Sequence, residues 1–348
     1  MTNPAENGLQ ALADMATVNV LTFLSPNQRF IKTKVPVNMP AKEVIAKLDS
    51  DGECGVLNVV EERRGTERAV GAIFARTTVG RIARGIDHLN AGDLMTPMGQ
   101  LKKFGASDEL SVAQVLHIMT DKYSPTRSMF VMEGRQCVGQ VSMKGIGRAL
   151  YRALDEILDN SSFAYQDGAE WPDGIDPDQL KKKRGDHLWE SSWLNEPAKN
   201  YCRALGPESI ITLRLNDTIQ DAVELMVEYD IGSIPVVDAD GVLSGIISDP
   251  DIIRHKAKGT EFSTPLSEAA TRNVKSVSDA ATLYEVYNAV IEHNCRHMPL
   301  VDKDGRPVDS SGLRDVLALL ARQVVHAEGD PVTESLGWER TTAEMWGG

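Results

Sequence analysis

Residues 211–254 read ITLRLNDTIQDAVELMVEYDIGSIPVVDADGVLSGIISDPDIIR, and this stretch decides the fold. Apolar residues at helical spacing predict an amphipathic helix that starts at Thr218. The apolar runs Ile234–Val237 and Val242–Ile247 predict two strands, and the DADG between them predicts a tight hairpin turn. Ser248 is followed by Asp-Pro, which predicts the start of a second helix. The predicted order is strand, helix, strand, strand, helix.

The same pattern recurs 64 positions later without a gap. The matched pairs share the same residue or the same character, and they are Thr218/Thr282, Ile219/Leu283, Pro235/Pro299, Val237/Val301, Asp238/Asp302, Asp240/Asp304, Gly241/Gly305 and Asp251/Asp315. So many coincidences at one fixed offset indicate an internal duplication. A duplication constrains the fold more strongly than a single motif does.

These motifs resemble a known family. Thr218-Ile219, Ile234–Asp238, Gly241 and Gly245–Asp251 are similar to the corresponding elements of a cystathionine-β-synthase (CBS) domain. The resemblance covers residues 205–325. CBS domains occur in tandem pairs, called Bateman modules, that bind adenosine nucleotides or related adenosyl ligands in clefts between the two repeats. The resemblance therefore implies an α/β (α+β) fold of β-α-β-β-α repeats.

The N-terminal half shows the same order of elements in a more divergent form. Residues 30–155 contain two helical patterns, each followed by a hairpin pattern and a further helix. We therefore expect four CBS repeats arranged as two Bateman modules, which associate into a disc within one chain or between two. The expected domains are a divergent pair at 1–155, a tryptophan-containing insert at 156–204, the clear pair at 205–325 and a polar tail at 326–348.

Composition excludes several classes of protein. The net charge of −13 opposes a broad phosphate-binding surface, so we expect no nucleic-acid partner. No run of 18 apolar residues is present, so we expect no membrane span. The first residues lack the basic and apolar segments of a secretory signal, and the four cysteines are scattered. We therefore expect a cytoplasmic protein without a metal site.

The strongest candidate site is the segment Ser248–Asp251. A helix N-terminus presents free backbone N–H groups and the positive end of the helix dipole, which suits an anion. The resemblance implies that Ser248 contacts a phosphate and that Asp251 contacts the ribose hydroxyls. The alternative is a capping box, in which Ser248 and Asp251 satisfy the helix terminus and bind no ligand.

The resemblance also implies where the base and a second ligand would lie. Thr212, Ile234 and Pro235 occupy the positions that contact adenine in the family, and their alternative role is core packing. In the fourth repeat Asp315 is retained for the ribose, whereas the serine is replaced by Gly312, so a phosphate contact there needs Ser311 or the backbone N–H of Gly312. The sequence supports this second cleft less than the first.

The two N-terminal repeats depart further from the pattern. Repeat 2 retains a serine, Ser142, but has Gly145 in place of the aspartate, so it is expected to lack ribose recognition. Repeat 1 has neither residue and is expected to be empty or structural.

Basic side chains near the middle strands are further candidates. By resemblance to relatives with four repeats, Arg296, His297 and Arg127 would point into the central space and meet ligand phosphates. The alternative for each is a surface residue or a structural ion pair. A histidine such as His297 can titrate near neutral pH. Cys295 precedes these residues, and an inert core thiol is favoured over an activated one.

No catalytic motif accompanies these residues, so we expect no catalytic residue and no enzyme. The resemblance implies a regulatory sensor that binds AMP, ADP or ATP and signals to an unknown regulated protein by conformational change. S-adenosylmethionine is a further candidate ligand, Mg²⁺ would accompany ATP, and a homodimer is expected. The alternative is a structural adaptor with degenerate clefts that binds a partner through the insert.

Overall fold

The computed structural model describes residues 18–24, 33–50, 55–121, 126–158, 197–200 and 210–319, with the backbone alone at 151–158. Over these residues the chain forms an α/β fold with four small sheets and their helices. The predicted fold class and its β-α-β-β-α units are confirmed, and we number the units repeats 1 to 4. Most of the predicted insert and all of the predicted tail lie outside the described residues.

The N-terminal half contains repeats 1 and 2, preceded by a short helix α1 (Val20–Phe23). Repeat 1 consists of β1 (Lys34–Pro36), α2 (Ala41–Ser50), β2 (Val56–Arg63), β3 (Thr66–Phe74) and α3 (Ala75–Ile82), followed by α4 (Ala91–Leu94) and β4 (Thr96–Pro97). Repeat 2 consists of β5 (Lys103–Gly105), α5 (Val112–Thr120), β6 (Ser128–Glu133), β7 (Gln136–Ser142) and α6 (Met143–Leu158).

The C-terminal half contains repeats 3 and 4. Repeat 3 consists of β8 (Leu213–Arg214), α7 (Ile219–Glu228), β9 (Ser233–Val237), β10 (Leu243–Ser248) and α8 (Asp249–Ala257), and α9 (Leu266–Ala269) leads onward. Repeat 4 consists of β11 (Val277–Ser278), α10 (Leu283–Glu292), β12 (His297–Val301), β13 (Pro307–Gly312) and a helix α11 at 313–319. Both follow the order that the duplication predicts.

The four sheets share one topology. In each, the first strand is parallel to the second, and the second is antiparallel to the third. The register repeats as well, because Leu213 lies opposite Val236 in repeat 3 and Val277 lies opposite Leu300 in repeat 4. Repeat 1 adds β4 to the free edge of β3.

Local chemistry explains why the elements start and end where they do. Thr218 caps α7, because its hydroxyl accepts from Asp221 N at 3.3 Å while Thr218 N donates to the Asp221 carboxylate at 2.7 Å. Thr282 caps α10 through Glu285 in the same way. Gly241 closes the repeat 3 hairpin at φ 80°, a left-handed conformation that glycine adopts without a steric penalty.

The apolar residues form two cores, and each core is shared between distant repeats. One core joins repeats 1 and 3, where Val79 and Ile82 belong to the same buried cluster as Ala222 and Ile252. The other core joins repeats 2 and 4 and includes the buried Tyr287. Helical faces of one half therefore bury apolar area against the other half. The sequence left open whether the repeats associate within one chain, and the structure associates them within one chain.

Candidate functional site

The junction between β10 and α8 places Ser248 and Asp251 side by side. Ser248 N donates to Asp251 Oδ2 at 2.9 Å, and the Ser248 hydroxyl donates to the same oxygen at 2.5 Å. Ser248 ends the strand and Asp251 lies in the first helical turn, so both face the start of the helix. The two predicted residues therefore form one hydrogen-bonded pair at a helix N-terminus.

The other carboxylate oxygen of Asp251 is also occupied. Oδ1 accepts from Arg254 Nη1 at 2.8 Å and from the Thr271 hydroxyl at 3.4 Å. Arg254 extends further, with Nε 3.7 Å from the Asp49 carboxylate of repeat 1. Asp251 is 6% exposed. Ser248 and Asp251 thus form the capping box that is the alternative to ligand binding.

A cavity of about 760 Å³ opens beside this pair. Its wall includes Ser248 and Asp251 from repeat 3 and Arg296 and His297 from repeat 4. Repeat 1 contributes Thr33 and Asp49–Ser50, and repeat 2 contributes Lys144. Four of the predicted site residues therefore meet at one cavity, to which all four repeats contribute.

Other predicted residues lie elsewhere. Thr212 is exposed, and Ile234 and Pro235 are buried, with Ile234 inside the core shared by repeats 1 and 3. None of these three is among the residues that line the cavity. Ile246, which is paired with Pro235 across the hairpin, lines it instead, together with Val274. Both strands of the predicted hairpin reach the cavity, β9 through Ser233 and β10 through Ile246 and Ser248.

A second cavity of about 250 Å³ lies next to the first and shares Lys144, Arg296 and His297 with it. Two of the predicted site residues, Arg127 and Asp315, line it. Gly312 N donates to Asp315 Oδ2 at 2.8 Å.

Two serines near this cavity have different surroundings. The predicted Ser311 is 1% exposed, its hydroxyl has no partner among the described residues, and it does not line the cavity. Ser142 of repeat 2 does line it, and its hydroxyl accepts from Gly145 N at 3.0 Å. Ser311 could therefore contact a ligand phosphate only if the residues that separate it from the cavity moved.

Two charged side chains next to the smaller cavity, Asp249 and Arg76, were not candidate ligand contacts in the sequence analysis. The Asp249 carboxylate lies 3.6 Å from Arg76 Nη1 and 3.5 Å from Arg127 Nη1. Burial raises the pKa of Asp249, and nearby Arg76, Arg127 and Arg296 oppose that shift. Repeat 1, which was expected to be empty or structural, therefore contributes Arg76 to the centre. The signal that could have indicated it is its place directly after β3.

These charges also set the state of the neighbouring groups. Desolvation lowers the pKa of Arg127 to about 10, so this side chain remains charged at neutral pH. Burial, and then the surrounding arginines, lower the pKa of His297 well below its ordinary value. This shift in pKa works against the titration near neutral pH that the residue type alone would allow. Burial raises the pKa of Cys295, which favours an inert thiol.

No group of three or more His, Cys, Asp or Glu side chains is placed to hold a metal ion within the described part of the chain. The same residues contain no helix that is long and apolar enough to cross a membrane.

Comparison with known proteins decides the family. A CBS domain model matches residues 207–258 and 266–322. The CBS domain-containing protein YhcV of Bacillus subtilis is 35% identical over 96 residues, which is 27% of this chain and 68% of YhcV. The chain belongs to the CBS domain family. Its clear CBS repeats are repeats 3 and 4, at the positions that the duplication predicts.

Two further comparisons extend and limit this result. Protein MJ1225 of Methanocaldococcus jannaschii is 27% identical over 127 residues, 36% of this chain and 44% of that protein. Its crystal structure superposes with a TM-score of 0.61 at 15% identity and covers 87% of this CBS protein and 99% of MJ1225, which shows the shared fold. Inosine-5'-monophosphate dehydrogenase of Aquifex aeolicus is 27% identical over 108 residues, but the match covers only 22% of that enzyme.

Proposed function

We propose that this chain is a non-catalytic regulatory sensor that binds an adenosine nucleotide between repeats 3 and 4. AMP, ADP and ATP are the foremost candidates, with S-adenosylmethionine as a further one. The observation that carries the proposal is the cavity of about 760 Å³ with Ser248 and Asp251 at a helix N-terminus on one wall and Arg296 on another. Binding there would be passed to a partner protein in the cytoplasm as a change in how the repeats are arranged.

The size and polarity of the cavity support this proposal. Ligand pockets commonly enclose about 300–1,000 Å³, and this one falls within that range. Lys144, Arg254 and Arg296 supply positive charge around it, and a helix N-terminus adds backbone N–H donors. Ile246 provides an apolar surface for a base. A ligand that combines a base, a sugar and phosphate groups matches these three kinds of wall.

The hydrogen bonds between Ser248 and Asp251 suggest how a ligand is accommodated. Asp251 Oδ2 already accepts two hydrogen bonds from Ser248, one of them from the hydroxyl. A ribose hydroxyl would replace the Ser248 hydroxyl on this oxygen. The released Ser248 hydroxyl could then donate to a phosphate oxygen, so no buried polar group is left without a partner. The cap and the ligand site are in this view two states of the same pair.

Calorimetry and thermal unfolding with AMP, ADP, ATP and S-adenosylmethionine test the proposal, with ATP measured with and without Mg²⁺. A ligand at 100 times its Kd should stabilise the protein by about 2.7 kcal/mol. Replacing Ser248 by Ala should weaken binding about tenfold or more, because a hydrogen bond to a charged group is lost. Thr282→Ala is the matched control, since it removes an equivalent cap away from the cavity. Binding of none of these ligands would refute the proposal.

A second candidate is a structural adaptor, and the occupied carboxylate of Asp251 favours it. In that case the pair would be a permanent cap and the segment 156–204 would bind a partner. Asp251→Ala separates the two candidates once a partner is found. Regulation that survives this change unaltered would favour the adaptor, and its loss without loss of folding would favour the sensor.

A further inference from the structure

The guanidinium groups of Arg76 and Arg127 lie against one buried carboxylate, and that of Arg296 lines the same cavity as theirs. We call Arg76, Arg127 and Arg296 the arginine cluster; they come from repeats 1, 2 and 4. Asp249 of repeat 3 lies against the first two at 3.6 and 3.5 Å, and Arg296 is close enough to affect its pKa. All three arginines line the smaller cavity, and Arg296 lines the larger one too. An anion in the smaller cavity meets all three arginines, whereas an anion in the larger cavity meets Arg296, from which its phosphate chain can extend toward the other two.

Asp249 is in contact with the cluster but not with the cavities. It is 0% exposed and lines neither of them, so a ligand would feel its charge through the arginines and would not touch it. Arg127, in contrast, keeps 39% of its side chain exposed. The carboxylate therefore lies behind the guanidinium groups as seen from the cavity. One negative charge at that position offsets part of the attraction that the arginines exert on a phosphate.

A purely structural role explains this carboxylate poorly. Neither oxygen of Asp249 has a hydrogen-bond partner among the described residues, and Arg76 Nη1 is also without one. The contacts at 3.5 and 3.6 Å are longer than charge-assisted hydrogen bonds, which are usually about 2.7–2.9 Å. A buried ion pair of this quality recovers little of the cost of removing both charges from water. The charge that Asp249 supplies therefore explains its position better than its contacts do.

We propose that Asp249 sets how much phosphate charge the cleft accepts, and that it favours adenosine ligands with fewer phosphates over ATP. This inference rests on the proposed function. The charge of the ligand phosphates rises from AMP to ATP. Burial raises the pKa of Asp249 and the arginines oppose that shift, so the inference requires that they keep the carboxyl ionised. Its negative charge then disfavours each added phosphate. Asp249 acts through the arginines, so it is a positioning and charge-setting residue rather than a contact residue.

Asp249→Asn tests the inference, because it removes the charge and keeps the shape. Kd values for AMP and for ATP in EDTA are measured by calorimetry at fixed ionic strength. We expect the affinity for ATP relative to AMP to rise about tenfold, which is the order of effect of one partly screened charge at this range. Asp240→Asn is the matched control, since it removes one exposed carboxylate from the same repeat and should leave the ratio unchanged.

The other outcomes are distinguishable. If the variant weakens AMP and ATP by the same factor, Asp249 is structural and the inference is overturned, while the proposed function stands. If wild-type protein binds neither nucleotide, the proposed function fails and the inference fails with it. Should Asp249→Asn not fold by circular dichroism, Arg127→Gln carries the test. It should lower the affinity for ATP more than that for AMP, and an unchanged ratio would overturn the inference.

Discussion

The carboxyl of Asp315 in the second cleft makes a testable prediction about how the free energy of unfolding depends on pH. Burial raises the pKa of this carboxyl from 3.8 to about 6, and the hydrogen bond from Gly312 N opposes the shift only in part. The folded state therefore holds the proton more tightly than the unfolded state does. Between about pH 4 and pH 6 the folded protein binds more protons, so the contribution of Asp315 to stability falls as the pH rises.

The expected change in stability follows from the size of this pKa shift. A pKa that is about two units higher in the folded state than in the unfolded state is worth ~3 kcal/mol in the free energy of unfolding. Because the side chain is partly exposed, we expect about 2 kcal/mol. Asp315→Asn removes the charge and can still accept from Gly312 N. The variant should thus be about 2 kcal/mol more stable than wild type at pH 7.5, and equally stable below about pH 4.

Urea unfolding followed by circular dichroism at pH 4, 5, 6 and 7.5 measures this difference directly. All other titrating groups are shared by both proteins, so the difference between them isolates Asp315. Asp240→Asn is the control for a change of surface charge. A stability difference that is the same at pH 4 and pH 7.5 would refute the reasoning. If the stabilised variant also loses nucleotide binding at the smaller cavity, the cost of a charged Asp315 is explained by ligand contact.

Three further substitutions test the fold by the same urea assay. Tyr287→Phe should cost about 1 kcal/mol, because the buried hydroxyl donates to Gly147 O at 2.5 Å and so links repeats 4 and 2; no loss would contradict that link. Gly71→Ala should cost about 1–3 kcal/mol, because its Cβ would lie 2.5 Å from Thr96 O, and a neutral result would show that β4 can move away. Thr218→Ala should cost about 1 kcal/mol as a lost cap, and an unchanged stability would argue against the capping box.

The elements of the fold could be predicted from the sequence because their causes are local. Thr218 and Thr282 mark helix starts through contacts three residues away, and Gly241 marks a turn through its own backbone. The pairing of repeat 1 with repeat 3 could not be predicted in this way. This pairing depends on how the shapes of two helix faces fit together. An apolar stripe such as that of α3 predicts that the helix is buried on one side, but it does not specify which helix covers that side.

The site was predictable to the same extent. Ser248 and Asp251 were found because a motif three residues apart fixes their geometry. Ile234 was placed in the site, but it is buried in the core, since which face of a strand is turned to the core is a tertiary property. Asp249 was read only as part of the helix start. Arg76 and Arg127, which lie against it, are more than 100 residues away in sequence, and a single sequence contains no signal that connects them.

The arrangement of cores and charges gives a physical route for signalling. Each apolar core is shared by two repeats from different halves, so a rotation of one repeat must be followed by its partner or must break the core. The cleft contacts all four repeats, and the arginine cluster with Asp249 joins them at the centre. A ligand that binds one arrangement more tightly can shift the whole set, by no more than its difference in affinity between the two arrangements. If Ser248 exchanges its bond to Asp251 for one to a ligand phosphate, as we propose, this exchange is the first change of a bond within the protein on ligand binding.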